Sequence, residues 1–162
     1  MRLMRRKIDD FLKEWKENED RLPLIVKGAR QIGKTASIMQ FANDNYRNVV
    51  AINFVLQQKF KSIFDDGYDV DSVVRNITLI NPNIELEPGN TIFFFDEMQD
   101  CPVCATSLKA FKIDGRYDVV CSGSLMGINY QEIESNSVGY KEDYTMHSMD
   151  FEEFLTWKIN VL

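Results

Sequence analysis

The sequence predicts an α/β three-layer sandwich, a five-stranded parallel sheet with helices on both faces. Three observations carry that reading. Apolar, strand-like runs alternate with amphipathic helical stretches along the 162 residues. The first run leads straight into Gly28-Ala29-Arg30-Gln31-Ile32-Gly33-Lys34-Thr35, a complete G-x-x-x-x-G-K-[ST] loop, and then into a helical stretch. A later run, Thr91-Ile92-Phe93-Phe94-Phe95, ends in two adjacent carboxylates, Asp96 and Glu97.

Taken in order, Ile8, Phe11, Leu12 and Trp15 repeat at helical spacing, which predicts an amphipathic helix over residues 4–17. Asn18 to Arg21 turn the chain into a first strand over 22–28, and the loop helix follows over 34–45. Val49 to Phe54 form a second strand, and residues 57–65 and 69–79 two short helices around Asp65-Asp66-Gly67. Pro82 and Pro88-Gly89 break the chain before the Asp96 strand, whose unbroken apolar character marks it as central and buried. A helix over 103–112 stops at Asp114-Gly115, and Tyr117 to Ser124 form a fourth strand. Residues 127–139 are expected to be irregular and polar, and Tyr144 to His147 to form the last strand. Asp150 caps a final helix with Phe151, Phe154, Leu155 and Ile159 on one face. No repeat or low-complexity tract interrupts the pattern.

The glycine loop is suited to phosphate. Its glycines let backbone N–H groups close around phosphate oxygens, and the helix that follows adds partial positive charge. Residues Gly28, Ala29, Arg30, Gln31, Ile32, Gly33, Lys34, Thr35 and Ala36 are the expected nucleotide-binding set. Lys34 is placed to reach the β- and γ-phosphates of a nucleoside triphosphate, and the Thr35 hydroxyl to ligate Mg²⁺. Asp96, at the carboxyl end of its strand, is the Walker B candidate for the same ion, and Glu97 the candidate to orient or deprotonate water. The Asp-Glu pair favours an ATPase of the additional-strand class over a GTPase, and the chain carries no Asn-Lys-x-Asp guanine-reading motif. In that class a polar side chain at the tip of the intervening strand senses the γ-phosphate, which leaves Ser122 and Ser124 as candidates. The predicted fold class is therefore a P-loop NTPase sandwich with an additional strand.

Composition narrows the setting. A net charge of −6 and a pI of about 4.9 argue against a broad basic surface for nucleic acid. The basic cluster Arg2, Arg5, Arg6 and Lys7 reads as solvation of a helix start. No apolar run reaches the length of a transmembrane helix and the N-terminal segment is amphipathic, so a cytoplasmic protein with no membrane association is expected. The three cysteines fit no disulfide framework. Cys101-Pro102-Val103-Cys104 is a C-x-x-C near a helix start, a setting that lowers a thiol pKa, so a redox module competes with reduced structural thiols.

Several blocks together resemble a known family. They are Lys27 to Thr35, Phe95-Asp96-Glu97-Met98-Gln99, Cys101-Pro102, Ser107-Leu108-Lys109, Tyr117-Asp118-Val119, Ser122 to Gly127, Ser137-Val138-Gly139 and Met149 to Leu155. They resemble the AAA-like ATPase domain of a large family of prokaryotic ATP-binding proteins. In that family a winged-helix-like region and a C-terminal nuclease-like domain follow. The resemblance implies one AAA-like ATP-binding domain over residues 1–162, with the helical segment 1–20 preceding a P-loop core at 21–162, and with lid and C-terminal domain absent. It implies ATP and Mg²⁺ as cofactors: phosphate on Gly28, Gly33, Lys34 and Thr35, Mg²⁺ on Thr35 and Asp96, and water on Glu97. Lys34, Ser122 and Ser124 complete the catalytic candidates. A homo-oligomer or a separate C-terminal partner is the implied assembly, and adenine contacts are expected from around Trp15 to Arg21 and from a lid. An ATPase core heads the readings. A nucleotide-binding module without turnover, a small-molecule kinase and a thiol redox module compete with it.

Overall fold

The computed structural model describes residues 4–124 and 130–161. Its helices and strands follow as α1 (Lys7–Glu17), β1 (Leu24–Lys27), α2 (Lys34–Asn45), β2 (Asn48–Asn53), a 3₁₀ helix (Gln58–Phe64) and α3 (Val70–Ile80). Then come β3 (Thr91–Asp96), a 3₁₀ turn (Met98–Asp100), α4 (Cys104–Asp114), β4 (Asp118–Gly123), α5 (Tyr130–Ser137), β5 (Glu142–Thr145) and α6 (Phe151–Val161).

The five strands form one sheet in the order β2-β3-β4-β1-β5, and every pairing is parallel. The strand β4 lies between the loop-bearing β1 and the carboxylate-bearing β3, which is the additional-strand arrangement expected from Asp96-Glu97. Successive strand residues point to opposite faces, and both faces are buried. Leu24, Val26, Ile92, Phe94 and Val120 face α1 and α2, where Ile8, Leu12, Trp15, Ile38 and Phe41 cover them. Ile25, Phe93, Phe95, Val119 and Cys121 face the other way, under Phe54, Ile63, Ile77, Leu108, Phe111 and Ile133. Phe95 is central in that layer, with ring centroids 5.8 Å from Phe54, 6.0 Å from Phe93 and 6.1 Å from Phe64 and Phe111.

Helix ends follow local chemistry. The Asp9 carboxylate accepts the Arg6 backbone N–H at 2.7 Å, so α1 begins at Lys7 rather than at the predicted residue 4. Asp69 caps α3 by accepting from Ser72 N at 3.0 Å. Gly115 ends α4 in the left-handed region at φ 74°. Asp150 and Glu153 form a reciprocal capping box at α6: Glu153 N donates to Asp150 at 2.8 Å and Asp150 N to Glu153 at 3.1 Å.

Three expectations change. The predicted helix at 57–65 is 3₁₀ over Gln58–Phe64. Within the stretch expected to be irregular, Tyr130–Ser137 is helical because Ile133 inserts into the core and Ser137 Oγ donates to the Ile133 carbonyl at 2.5 Å. Residues 125–129 of that stretch lie outside the described residues. The apolar face foreseen for α6 is present but uncovered, with Phe151 74% and Ile159 71% exposed, because no described element packs on it. Among the described residues no helix is long and apolar enough to cross a membrane.

Replacing Phe95 by alanine removes the hub of the aromatic layer and should cost about 3–5 kcal/mol in urea unfolding. Acid should also weaken the fold. Burial pushes the Glu134 and Glu153 carboxyls up, but hydrogen bonds outweigh it: from Lys27 and Lys141 to Glu134, and from Lys7 N, Asp150 N and Arg6 to Glu153. Both groups therefore sit below their ordinary range in the folded chain. Their contribution is present above the unfolded carboxylate range and is lost as pH falls through the lowered folded values. Urea midpoints should hold steady near neutrality and drop below about pH 4.

Candidate functional site

The carboxyl ends of the parallel strands open onto one edge of the sheet, the edge where such folds bind ligands. There β1 delivers the glycine loop, β3 delivers Asp96, β2 delivers Asn53, and β4 delivers Ser122.

The loop is built by crowding on its outer side. A Cβ at Gly28 would lie 2.5 Å from the Met146 carbonyl oxygen and 2.7 Å from Ile32 Cδ1, so only glycine fits there. Met146 is held at that distance because its N–H donates to Lys27 O at 2.8 Å, continuing the β5 side of the sheet. Gln31 adopts φ 61° and Gly33 φ 97°. For the non-glycine Gln31 that left-handed conformation costs about 1–2 kcal/mol, a strain held by the surrounding loop. Gly33 then starts α2, and Lys34 follows with only 7% exposure. The Lys34 ammonium donates into the loop, to Gly28 O at 2.8 Å and to Ala29 O. Burial lowers its pKa, against the pull of the Glu97 and Asp96 carboxylates.

Asp96 is 5% exposed, and its two oxygens are surrounded by donors. One accepts from Ser122 Oγ at 2.5 Å and from Glu97 N at 3.0 Å. The other accepts from Thr35 Oγ1 at 2.9 Å and, more weakly, from Asn53 Nδ2 at 3.4 Å. A buried carboxylate needs such partners, and they tie four chain segments together at one point. Ser122 therefore lies behind Asp96 in the sheet, fully buried, while the half-buried Ser124 lies beyond the end of β4. Leu125, Met126 and Gly127 of the same block lie outside the described residues.

Glu97 leaves the strand in the left-handed region at φ 57°, which turns its side chain out of the sheet. Its carboxylate accepts a hydrogen bond from Gln99 Nε2 within the turn Met98–Asp100. Asn53 and Gln99 were not singled out in the sequence. Asn53 was discoverable as a polar residue closing an otherwise apolar strand, and its register partner in β3 is Asp96 itself.

The outer side of the loop holds a residue read wrongly from sequence. Arg6, taken as part of a solvating basic cluster, is largely buried: its guanidinium donates to Ile32 O at 2.9 Å, His147 O at 2.9 Å and Glu153 at 3.2 Å. The segment from Trp15 to Arg21, expected near the adenine, lies at the opposite end of the sheet. Trp15 Nε1 donates to Leu22 O just before β1 at 2.8 Å, and Arg21 pairs with Asp118, the first residue of β4. The cysteines are buried as well. Burial pushes Cys101 up to about 11 and holds Cys104 well above the ordinary thiol range, overriding the helix-start effect that a reactive thiol requires. Among the described residues no cluster of three or more His, Cys, Asp or Glu side chains could hold a metal.

Fold and site together define a P-loop nucleotide-binding domain of the additional-strand class. The family model described as an AAA domain matches residues 20–155, and the chain belongs to that family. No curated protein matches it. Among solved structures the chain is similar to AMPPCP-bound DnaA from Aquifex aeolicus, at 13% identity and a TM-score of 0.53, covering 94% of this chain and 50% of that one. It is also similar to a DNA replication initiation factor, at 12% identity and a TM-score of 0.51, covering 94% and 49%. C. elegans PCH-2 matches at 14% identity and a TM-score of 0.48, covering 88% and 43%. This chain spans about half the length or less of these solved chains, and at 12–13% identity the likeness to the DnaA and initiation-factor structures concerns the fold.

Replacing Ser122 by alanine leaves a buried Asp96 oxygen short of its nearest donor. The variant should lose about 1–3 kcal/mol in chemical denaturation, with the sheet retained by circular dichroism.

Proposed function

We propose that the chain is the Mg²⁺-dependent ATPase core of its AAA family, hydrolysing ATP to ADP and phosphate. The observation that carries this reading is the 2.9 Å hydrogen bond from Thr35 Oγ1 to Asp96, which joins the phosphate loop to the carboxylate strand across the intervening β4. In this reading the loop from Gly28 to Ala36 receives the triphosphate. Lys34 gives up the Gly28 and Ala29 carbonyls for the β- and γ-phosphates, whose charge offsets its burial. The donor set suits Mg²⁺: hard oxygens and few protein ligands, with water and phosphate oxygens as the remaining ligands such an ion takes. Thr35 would hold the ion with a lone pair while its O–H donates to Asp96, and Asp96 would hold the ion directly or through water. When bound, Mg²⁺ would neutralise charge developing on the β- and γ-phosphate oxygens. Glu97 positions the attacking water, Ser122 fixes Asp96, and Ser124 is the sensor candidate nearer the strand tip. What hydrolysis drives would be a partner or a further domain, the nuclease-like domain of the resembling proteins being one form, within a cytoplasmic assembly or homo-oligomer.

One observation favours a second reading, a nucleotide-binding module that does not turn over. The Glu97 carboxylate is engaged by Gln99, so one of its oxygens is already committed. Two substitutions separate the readings. Lys34→Ala should abolish binding of a fluorescent ATP analogue in Mg²⁺. Glu97→Gln should keep that binding and reduce phosphate release by about 10²-fold or more. Wild-type phosphate release no faster than that of Lys34→Ala, with binding intact, would establish the binding module instead.

A further inference from the structure

We propose that Arg6 is a positioning residue for the phosphate loop and that Glu153 of α6 holds it there, so that loop geometry and α6 docking depend on one another. Its nucleotide arm rests on the function proposed above; its structural arm does not.

The argument begins with a single peptide unit. In a planar trans peptide the C=O and the following N–H point in opposite directions. Arg6 Nη1 holds the Ile32 carbonyl on the outer side of the loop at 2.9 Å. The Gly33 N–H is therefore turned toward the loop interior, where phosphate oxygens would lie. Gly33, at φ 97°, has no side chain to enforce that orientation, and a Cβ there would meet Arg6 Nη1 at 3.3 Å. The guanidinium performs the enforcement from outside.

Arg6 is itself fixed from two further directions. Its Nη2 donates to His147 O at 2.9 Å and its Nε to Glu153 at 3.2 Å, with the two side chains only 10% and 9% exposed. The Glu153 carboxylate also accepts Lys7 N at 2.8 Å and Asp150 N at 3.1 Å. One carboxylate thus gathers the starts of α1 and α6 and the arginine that touches the loop, and a negative charge is favoured at both helix starts. Between residues 151 and 160, Glu153 is the single buried position of α6. The helix is anchored to the sheet domain through this charged group and not through its apolar face. Beside it, the ion pairs of Lys7 with Asp150 and Glu152 are exposed and should contribute little. Lysine cannot replace Arg6, because an ammonium lacks the planar fork that reaches three acceptors at once.

The test uses the full chain in four forms: wild type, Arg6→Lys, Glu153→Gln and the control Lys7→Ala. Backbone order parameters at Gly33 and its loop neighbours, measured without nucleotide, should fall from about 0.85 toward 0.6 in the Arg6 and Glu153 variants and hold in the control. Glu153→Gln keeps the shape and one accepting oxygen while losing the charge and the second acceptor, and circular dichroism of both variants checks that the sheet is retained. With a fluorescent ATP analogue and Mg²⁺, both variants should bind about tenfold more weakly, and the analogue should rigidify α6 in wild type but not in Glu153→Gln, as reciprocal linkage requires. Loosening of α6 with unchanged loop order parameters would overturn the proposal and reduce the pair to a fastener for the helix. Absence of analogue binding to wild type would count against the proposed function alone, and the order parameters would still decide the role of Arg6.

Discussion

The site depends on one buried carboxylate. Asp96 ends a strand whose every residue is buried, so its charge is stable only if donors come to it. Those donors arrive from the loop helix as Thr35, from β4 as Ser122, from β2 as Asn53 and from the next peptide as Glu97 N. Ser122 and Asn53 can reach Asp96 only if β4 lies beside β3 and β2 closes its other side, which is the observed order. The strand order and the electrostatic need of one side chain therefore specify each other. The aromatic layer beneath, centred on Phe95, keeps β3 from shifting register, since a slip of one residue would turn Phe95 toward the opposite face and Asp96 away from its donors.

The loop, the carboxylate pair and the sheet were legible because their chemistry is local. Glycines, lysine and threonine at fixed spacing make a phosphate loop wherever a strand precedes and a helix follows, and an unbroken apolar run can only be a buried strand. Residues whose roles depend on register were less legible. Asn53 looks like any polar strand end until pairing sets it beside Asp96. Arg6 resembles its basic neighbours, yet Arg5 remains exposed in a pair with Asp10 while Arg6 turns inward to three acceptors. Nothing in the composition of that cluster distinguishes the two. The helix Tyr130–Ser137 was hidden because only one of its buried residues, Ile133, is apolar and the other, Ser137, is polar, which gives too little periodicity to register.

The last helix was legible in type and misleading in its packing. Asp150 reads as the helix start, and in the structure it forms a capping box with Glu153. The apolar positions read onto one face are left exposed, most of all Phe151 and Ile159. Amphipathic pattern states which face avoids water, but it does not state what covers that face. Within this chain the polar start of α6 supplies the attachment, and the two helix starts that meet at Glu153 are the reason it can.

The same electrostatics bear on Lys34. A lysine at 7% exposure is costly as a cation, and the loop lessens that cost by offering the Gly28 and Ala29 carbonyls. Those carbonyls are weaker partners than phosphate oxygens carrying full negative charge. In the function proposed above, a nucleotide entering the loop would replace two neutral acceptors with charged ones and relieve a desolvation already incurred in folding. The loop conformation is strained at Gln31 and held from outside by Met146 and Arg6, so little reorganisation remains for the moment of binding. Glu97 differs from Lys34 in this respect. Its carboxylate is satisfied by Gln99, a near neighbour on a tight turn, and a nucleotide does not by itself dissolve that bond. In the function proposed above, phosphate binding and water activation therefore rest on separate local balances, one at Lys34 and one at the Gln99 turn.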